Sequence, residues 1–222
     1  MPSQSVVSEL APTGVLRAAI NMGNFLLVTG KTPSGDPSGV SADIAAAIAA
    51  RLGVPVKYLP YAPGGLDTWE NLWLQRSAAH PWCGMRNMAA LIGSGVMDRY
   101  PKLRIGTLEA GHGWLPFWIA RLDEHAETIK AALPRLKRRP SEYVTSGRYF
   151  QSIEIPEGAP LTNAVADLLG DDVLMYASDY PHGESHFPAS AGIVLGWDMA
   201  QARKRKLMWD NAVRLYARAG VG

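Results

Sequence analysis

The stretch Leu174-Met-Tyr-Ala-Ser-Asp-Tyr-Pro-His182 constrains this chain more than any other. An apolar run ends abruptly in an acid, a proline and a histidine. Strands buried on both faces of a parallel sheet read as continuous apolar runs, and in a barrel their C-terminal ends open on the active-site face. A carboxylate delivered there can bind a metal or move a proton. A lone acid at a strand end such as Asp179 can equally cap the helix that follows.

The preceding residues repeat the pattern. Residues 103–109, 148–155 and 173–178 read as strands, and residues 68–77, 83–94, 114–132, 161–169 and 206–219 as helices. Met85, Met88, Ala89 and Ile92 fall on one side of their helix and read as core filler. Leu115, Trp118, Ile119 and Leu122 line one face of the next. The alternation of helix and strand predicts consecutive units of a (β/α) barrel. Three strand ends carry polar groups: Glu109-Ala-Gly-His112, Glu154-Ile-Pro-Glu157 and Asp179-Tyr-Pro-His182, with Glu184 and His186 close behind. Carboxylates and imidazoles gathered at one rim are what a divalent metal or an acid–base pair requires.

The first part of the chain reads differently. Residues 15–20 and 54–60 are short apolar strands, and Ser41 is placed to cap a helix ending at Leu52, with Ile44, Ile48 and Leu52 on one face. Gly53 suits a left-handed helix terminus. This predicts a β-α-β unit with a parallel strand pair. Tyr61-Ala-Pro-Gly-Gly65 reads as a joint, and all seven tryptophans lie beyond it. The expected division is therefore 1–65 and 66–222. The fold class is α/β, a partial TIM-like (β/α) barrel in the C-terminal half preceded by a short β-α-β unit.

Composition narrows the chemistry. The 222 residues carry 22 basic and 20 acidic side chains, a net charge of +2, which argues against a dedicated nucleic-acid surface. Cys83 is the only cysteine, so neither an intrachain disulfide nor a zinc ribbon can form. With no apolar run of membrane-spanning length and no secretory signal pattern, the expectation is a cytoplasmic protein without a membrane partner.

Two resemblances follow. Gly14-Val-Leu-Arg-Ala-Ala-Ile-Asn-Met-Gly23, Gly39-Val-Ser-Ala-Asp-Ile44 and Leu52-Gly-Val-Pro-Val56 look like the opening of family 3 bacterial solute-binding proteins. That resemblance implies a small-solute ligand of amino-acid type, with Asn21 and Asn24 as candidate ligand-facing residues. Gly95-Val-Met-Asp-Arg-Tyr-Pro-Lys-Leu-Arg104, Glu109-Ala-Gly-His-Gly-Trp-Leu-Pro116 and Tyr176-Ala-Ser-Asp-Tyr-Pro-His182 resemble the amidohydrolase-related family, over roughly residues 69–219.

The second resemblance implies a metal-dependent TIM barrel that hydrolyses or decarboxylates a small-molecule substrate. It implies Asp179 as metal ligand and proton shuttle and His112 as a catalytic histidine. Glu109, His182 and Trp114 are expected to bind substrate, and a divalent metal, zinc foremost, is the expected cofactor. No His-x-His pair, which that family places at strand one, occurs here. With three clear strands, the barrel is expected to be completed by another chain, as in a homo-oligomer, or else to be a catalytically silent fusion.

Overall fold

The computed structural model describes residues 2–24, 26–61, 72–129, 136–182 and 185–217. The chain divides into two compact units, Met1–Gln75 and Arg76–Gly222. The division falls ten residues beyond the Pro-Gly-Gly joint, within a helix.

The first unit opens with helix α1 (Gln4–Leu10), followed by strand β1 (Leu16–Asn21). A two-residue hairpin pair, β2 (Gly30–Lys31) and β3 (Pro37–Ser38), leads into α2 (Val40–Leu52) and then β4 (Val56–Tyr61). β1 and β4 pair in parallel from Leu16–Val56 to Asn21–Tyr61, as the β-α-β reading requires. Gly53 ends α2 at φ 70°, its N–H returning to the carbonyls of Ala49 and Ala50. A left-handed terminus of this kind costs glycine nothing and any Cβ-bearing residue strain.

The face of α2 differs from expectation. Ala42, Ala45 and Ala49 are buried, whereas Ile44 and Ile48 are 55% and 43% exposed. The alanines admit close approach, with Ala45 in a small core alongside Ile20 and Val28, and the Tyr58 hydroxyl donating to the Ala42 carbonyl at 3.2 Å. Periodicity alone gives two candidate stripes here, and the smaller one packs. Ser41 does not cap the helix; Gly39, at φ 121°, holds that position. Asn21 and Asn24 are spent on local turns, accepting backbone N–H bonds from Gly23, and from Leu26 and Leu27, at 2.9–3.2 Å.

The second unit is built on a three-stranded parallel sheet in the order β5 (Ile105–Thr107), β6 (Tyr149–Ser152), β7 (Leu174–Met175). All four residues of the central strand β6 are buried. The helices are α3 (Leu72–Gly93), α4 (Val96–Arg99), α5 (Leu115–Thr128), α6 (Pro140–Tyr143), α7 (Gly158–Leu169), α8 (Ser190–Leu195), α9 (Gln201–Arg205) and α10 (Asn211–Tyr216). One core joins Met88 and Ile92 of α3, Leu115 and Ile119 of α5, Val165 of α7, Val194 of α8 and Tyr149, Val173 and Leu174 of the sheet region. Each fully buried side chain of this size contributes about 1.5–3 kcal/mol.

Two boundaries changed. The two helices expected at 68–77 and 83–94 are one continuous helix, α3, with Pro81 inside it; residues 68–71 lie outside the described residues. An internal proline costs about 3 kcal/mol, and the burial of Met88 at 0% and Ile92 at 4% supplies an offset of that size. The last strand is shorter than its apolar run because Tyr176 donates its N–H not to β6 but to the Leu207 carbonyl, at 2.8 Å. Among the described residues the sheet does not close into a barrel. No helix among them is long and apolar enough to cross a membrane.

Candidate active site

The three strands of the second unit run parallel, so their C-terminal ends share one edge of the sheet. Each end carries an acid: Glu109 after β5, Glu154 after β6 and Asp179 after β7. The side chains of Glu109, Asp179 and His182 each offer a ligand atom, and these atoms all lie within 4.8 Å of one another. Glu109 is exposed, while Asp179 and His182 are half-buried. The acids expected at Glu109 and Asp179 and the imidazole expected at His182 therefore meet at one place.

Local structure aims them. Glu109 and Asp179 both have φ 56°, in the left-handed region. There the chain turns sharply off the strand and brings the side chain over the end of the sheet. After Asp179 a tight turn follows, with the His182 N–H on the Asp179 carbonyl at 3.0 Å and its Nδ1 2.6 Å from Asp179 Oδ1. Glu184 lies outside the described residues, and His186 is exposed and not among the three.

Glu154 belongs to the same electrostatic cluster. Its carboxyl is pushed up to about 7, by burial first and then by the negative charges of Asp179, Glu157 and Glu109. The strand-end pattern pointed to Glu154, but only the fold sets it among three other carboxylates. A carboxylic acid that keeps its proton near neutrality is a proton source, and a crowd of carboxylates is also a place where a cation replaces repulsion with attraction.

His112 and Trp114 sit elsewhere. His112 is fully buried, with Nε2 2.9 Å from Thr162 Oγ1 and Nδ1 against Glu157 Oε2. Both nitrogens are engaged within the protein, and the ring is not one of the three groups that converge at the rim. Trp114 packs against the core and donates its Nε1–H to the Ala110 carbonyl at 2.6 Å, which ties it to the loop it was expected to line. Glu157 accepts from the backbone N–H groups of His112 and Gly113 at 2.7 and 2.9 Å. Burial raises its pKa, yet these bonds and the His112 ring hold it below the ordinary carboxylate range.

The donor set of two carboxylates and one imidazole suits a divalent cation that prefers oxygen and nitrogen, such as manganese, better than a thiolate-seeking one. About 3 Å separates adjacent ligands, and about 4 Å opposite ones, around a six-coordinate ion with bonds of roughly 2.1 Å. A group confined within 4.8 Å is compatible with that size without rearrangement of the strands.

Comparison with known proteins agrees with this architecture. A family model described as amidohydrolase matches residues 22–218. A γ-resorcylate decarboxylase of a Polaromonas species is 27% identical over 128 residues, 57% of this chain and 38% of that protein. The crystal structure of 5-carboxyvanillate decarboxylase from Sphingomonas paucimobilis superposes with a TM-score of 0.60 at 21% identity, over 96% of this chain and 62% of that one. A 5-carboxyvanillate decarboxylase from Novosphingobium aromaticivorans, solved with manganese and 4-hydroxy-3-methoxy-5-nitrobenzoic acid, gives 0.54 at 23% identity, over 79% and 51%.

The chain spans 38–62% of the length of these relatives. Two expectations change. The family match begins at residue 22 and takes in most of the 14–63 segment that resembles solute-binding proteins, so that segment belongs with the rest of the chain. The metal solved in the Novosphingobium relative is manganese, not the zinc expected from the resemblance.

Proposed function

Because this chain belongs to the amidohydrolase family, whose model spans residues 22–218, we propose that it carries the acid-bearing rim of a metal-dependent decarboxylase or hydrolase of small aromatic acids. The observation that carries this reading is the convergence of Glu109, Asp179 and His182 within 4.8 Å at the ends of parallel strands. The names and ligands of the related decarboxylases favour decarboxylation over hydrolysis.

In this reading Glu109, Asp179 and His182 hold a divalent cation, manganese in the first instance. The cation, when bound, anchors the oxygens of the acid and withdraws electron density from it. Glu154 holds the proton. Its carboxyl, raised to about 7, is matched to proton transfer at neutral pH. It would protonate the ring carbon as carbon dioxide departs, or the leaving group if the bond cleaved is C–N or C–O. Asp179, hydrogen-bonded to His182 Nδ1 at 2.6 Å, keeps that imidazole oriented. The ring of Tyr180, next to Asp179, is 66% exposed and lies 4.7 Å from the ring of Phe187, an apolar surface suited to an aromatic acid.

The experiment is a manganese titration by calorimetry, followed by carbon dioxide release from a panel of hydroxybenzoates. Stoichiometric Mn2+ uptake that is lost in Asp179→Asn and Glu109→Gln is expected, with turnover lost in the same variants. Absence of Mn2+ uptake by the unmodified chain would overturn the metal site. Uptake without turnover of any acid in the panel would overturn the activity. Size measurement on the same samples tests whether a second copy completes the open barrel.

A further inference from the structure

We propose that Glu157, through its pairing with buried His112, is the positioning residue that locks two acid-bearing loops of the rim together. This rests on the reading of Glu109, Asp179 and His182 as a cation site.

The two loops are residues 109–113, between β5 and α5, and residues 153–157, between β6 and α7. Bonds tie the first loop to β6 and the second loop at nearly every residue. The Glu109 N–H donates to Ser152 Oγ at 3.2 Å, and Gln151 Nε2 donates to the Gly111 carbonyl at 2.7 Å. The His112 and Gly113 N–H groups both donate to the Glu157 carboxylate. The His112 ring is the buried bolt between them.

Its partners hold it on both sides. The Thr162 hydroxyl donates to the Gly158 carbonyl at 2.9 Å, so its oxygen accepts from Nε2–H. Nδ1 lies directly against Glu157 Oε2. The Glu154 N–H, 3.4 Å from the same Nδ1, is the weak contact of the two, since the Glu157 oxygen is much closer. Fully buried, this ring offers no surface to a substrate. What it does is fix where Glu157 sits, and with it the turn that holds Glu109 at φ 56°. Partners behind metal-binding side chains set their orientation, and losing one typically weakens metal affinity about 10- to 100-fold.

The test uses Glu157→Gln, whose amide can keep only one side of the clamp, and Thr162→Val, an isosteric change that removes the Nε2 acceptor and tolerates poor folding of the first variant. Tyr143→Phe is the control. It breaks a part-buried side-chain bond, Tyr143 hydroxyl to Asp98 at 2.6 Å, away from the rim. Mn2+ affinity is measured well below each variant's Tm, alongside amide exchange of both loops. Both clamp variants are expected to bind Mn2+ at least about tenfold more weakly and to exchange faster in both 109–113 and 153–157. Tyr143→Phe is expected to lose Tm with unchanged affinity. Unchanged affinity in Glu157→Gln, or an equal loss in Tyr143→Phe, overturns the proposal. If the unmodified chain takes up no Mn2+, the cation-site reading fails by itself and exchange decides this one: faster exchange in only one loop overturns it.

Discussion

Glu109 and Asp179 stand at the ends of the two outer strands of one parallel sheet with the same left-handed backbone, φ 56° in both. For a residue with a Cβ that conformation costs about 1 kcal/mol or more. The strain falls on two of the three residues that converge at the rim. Glu109→Gly is therefore expected to be about 1 kcal/mol more stable than Glu109→Ala, because both lose the carboxylate and only glycine loses the strain. Asp179→Gly and Asp179→Ala should differ in the same direction. Urea unfolding of the four variants checks this, and an alanine variant at least as stable as its glycine counterpart would contradict it.

Glu154 makes stability fall as pH rises through a defined window. In the unfolded chain its carboxyl titrates near 4.5, and in the folded protein near 7. Between those values the folded state holds a proton that the unfolded state has released, so raising the pH favours unfolding. Below about pH 4.5 there is no penalty; above about pH 7 it is complete. Glu157, Asp98 and Asp172, whose pKa values are lowered, act in the opposite sense at more acidic pH, where their protonation costs stability. Glu154→Gln is expected to flatten the urea midpoint between pH 5 and 7 relative to the unmodified chain. An unchanged slope would place the titration on another group.

Gly113 lies where α7 passes the rim loop. A Cβ there would fall 2.5 Å from Leu161 Cδ2 and 3.0 Å from Glu157 Oε1. Leu161 is 38% exposed and can turn away, but Glu157 cannot move without releasing the loop. Gly113→Ala is expected to lose about 1–3 kcal/mol. Adding Leu161→Ala should recover only part of it, the remainder being the displaced carboxylate. Full recovery in the double variant would mean that Leu161 alone is responsible.

Asn211, at the start of α10, is completely buried and donates both amide hydrogens, to the carbonyls of Asp171 and Leu174 at 2.8 and 2.7 Å. Its own Oδ1 has no partner. It pins the edge strand β7, whose outer side lacks a strand neighbour among the described residues. Asn211→Ala strands two buried carbonyls and is expected to cost at least about 2 kcal/mol by thermal or urea unfolding. Asn211→Asp should be no better, because a carboxylate oxygen cannot donate to either carbonyl. A near-neutral alanine variant would mean that water replaces the side chain.

Much of this protein is legible in its sequence because the relevant forces are local. The glycine at 53 marks a helix terminus by its left-handed freedom, and the β1–α2–β4 unit follows from two apolar runs flanking an alanine-rich helix. The acids at 109 and 179 stand where apolar runs stop, which already marks them as strand-end residues. Other features depend on groups distant in the chain. Which stripe of α2 packs was decided by how closely it lies on Tyr58 and Ile20. Pro81 stays inside α3 because tertiary burial offsets a broken backbone bond. His112 is engaged by Thr162 and Glu157, and Glu154 keeps its proton because burial, and then the charges of Asp179, Glu157 and Glu109, oppose its ionisation. Periodicity and turn chemistry are properties of neighbouring residues, whereas burial and electrostatic crowding exist only once the strands are side by side.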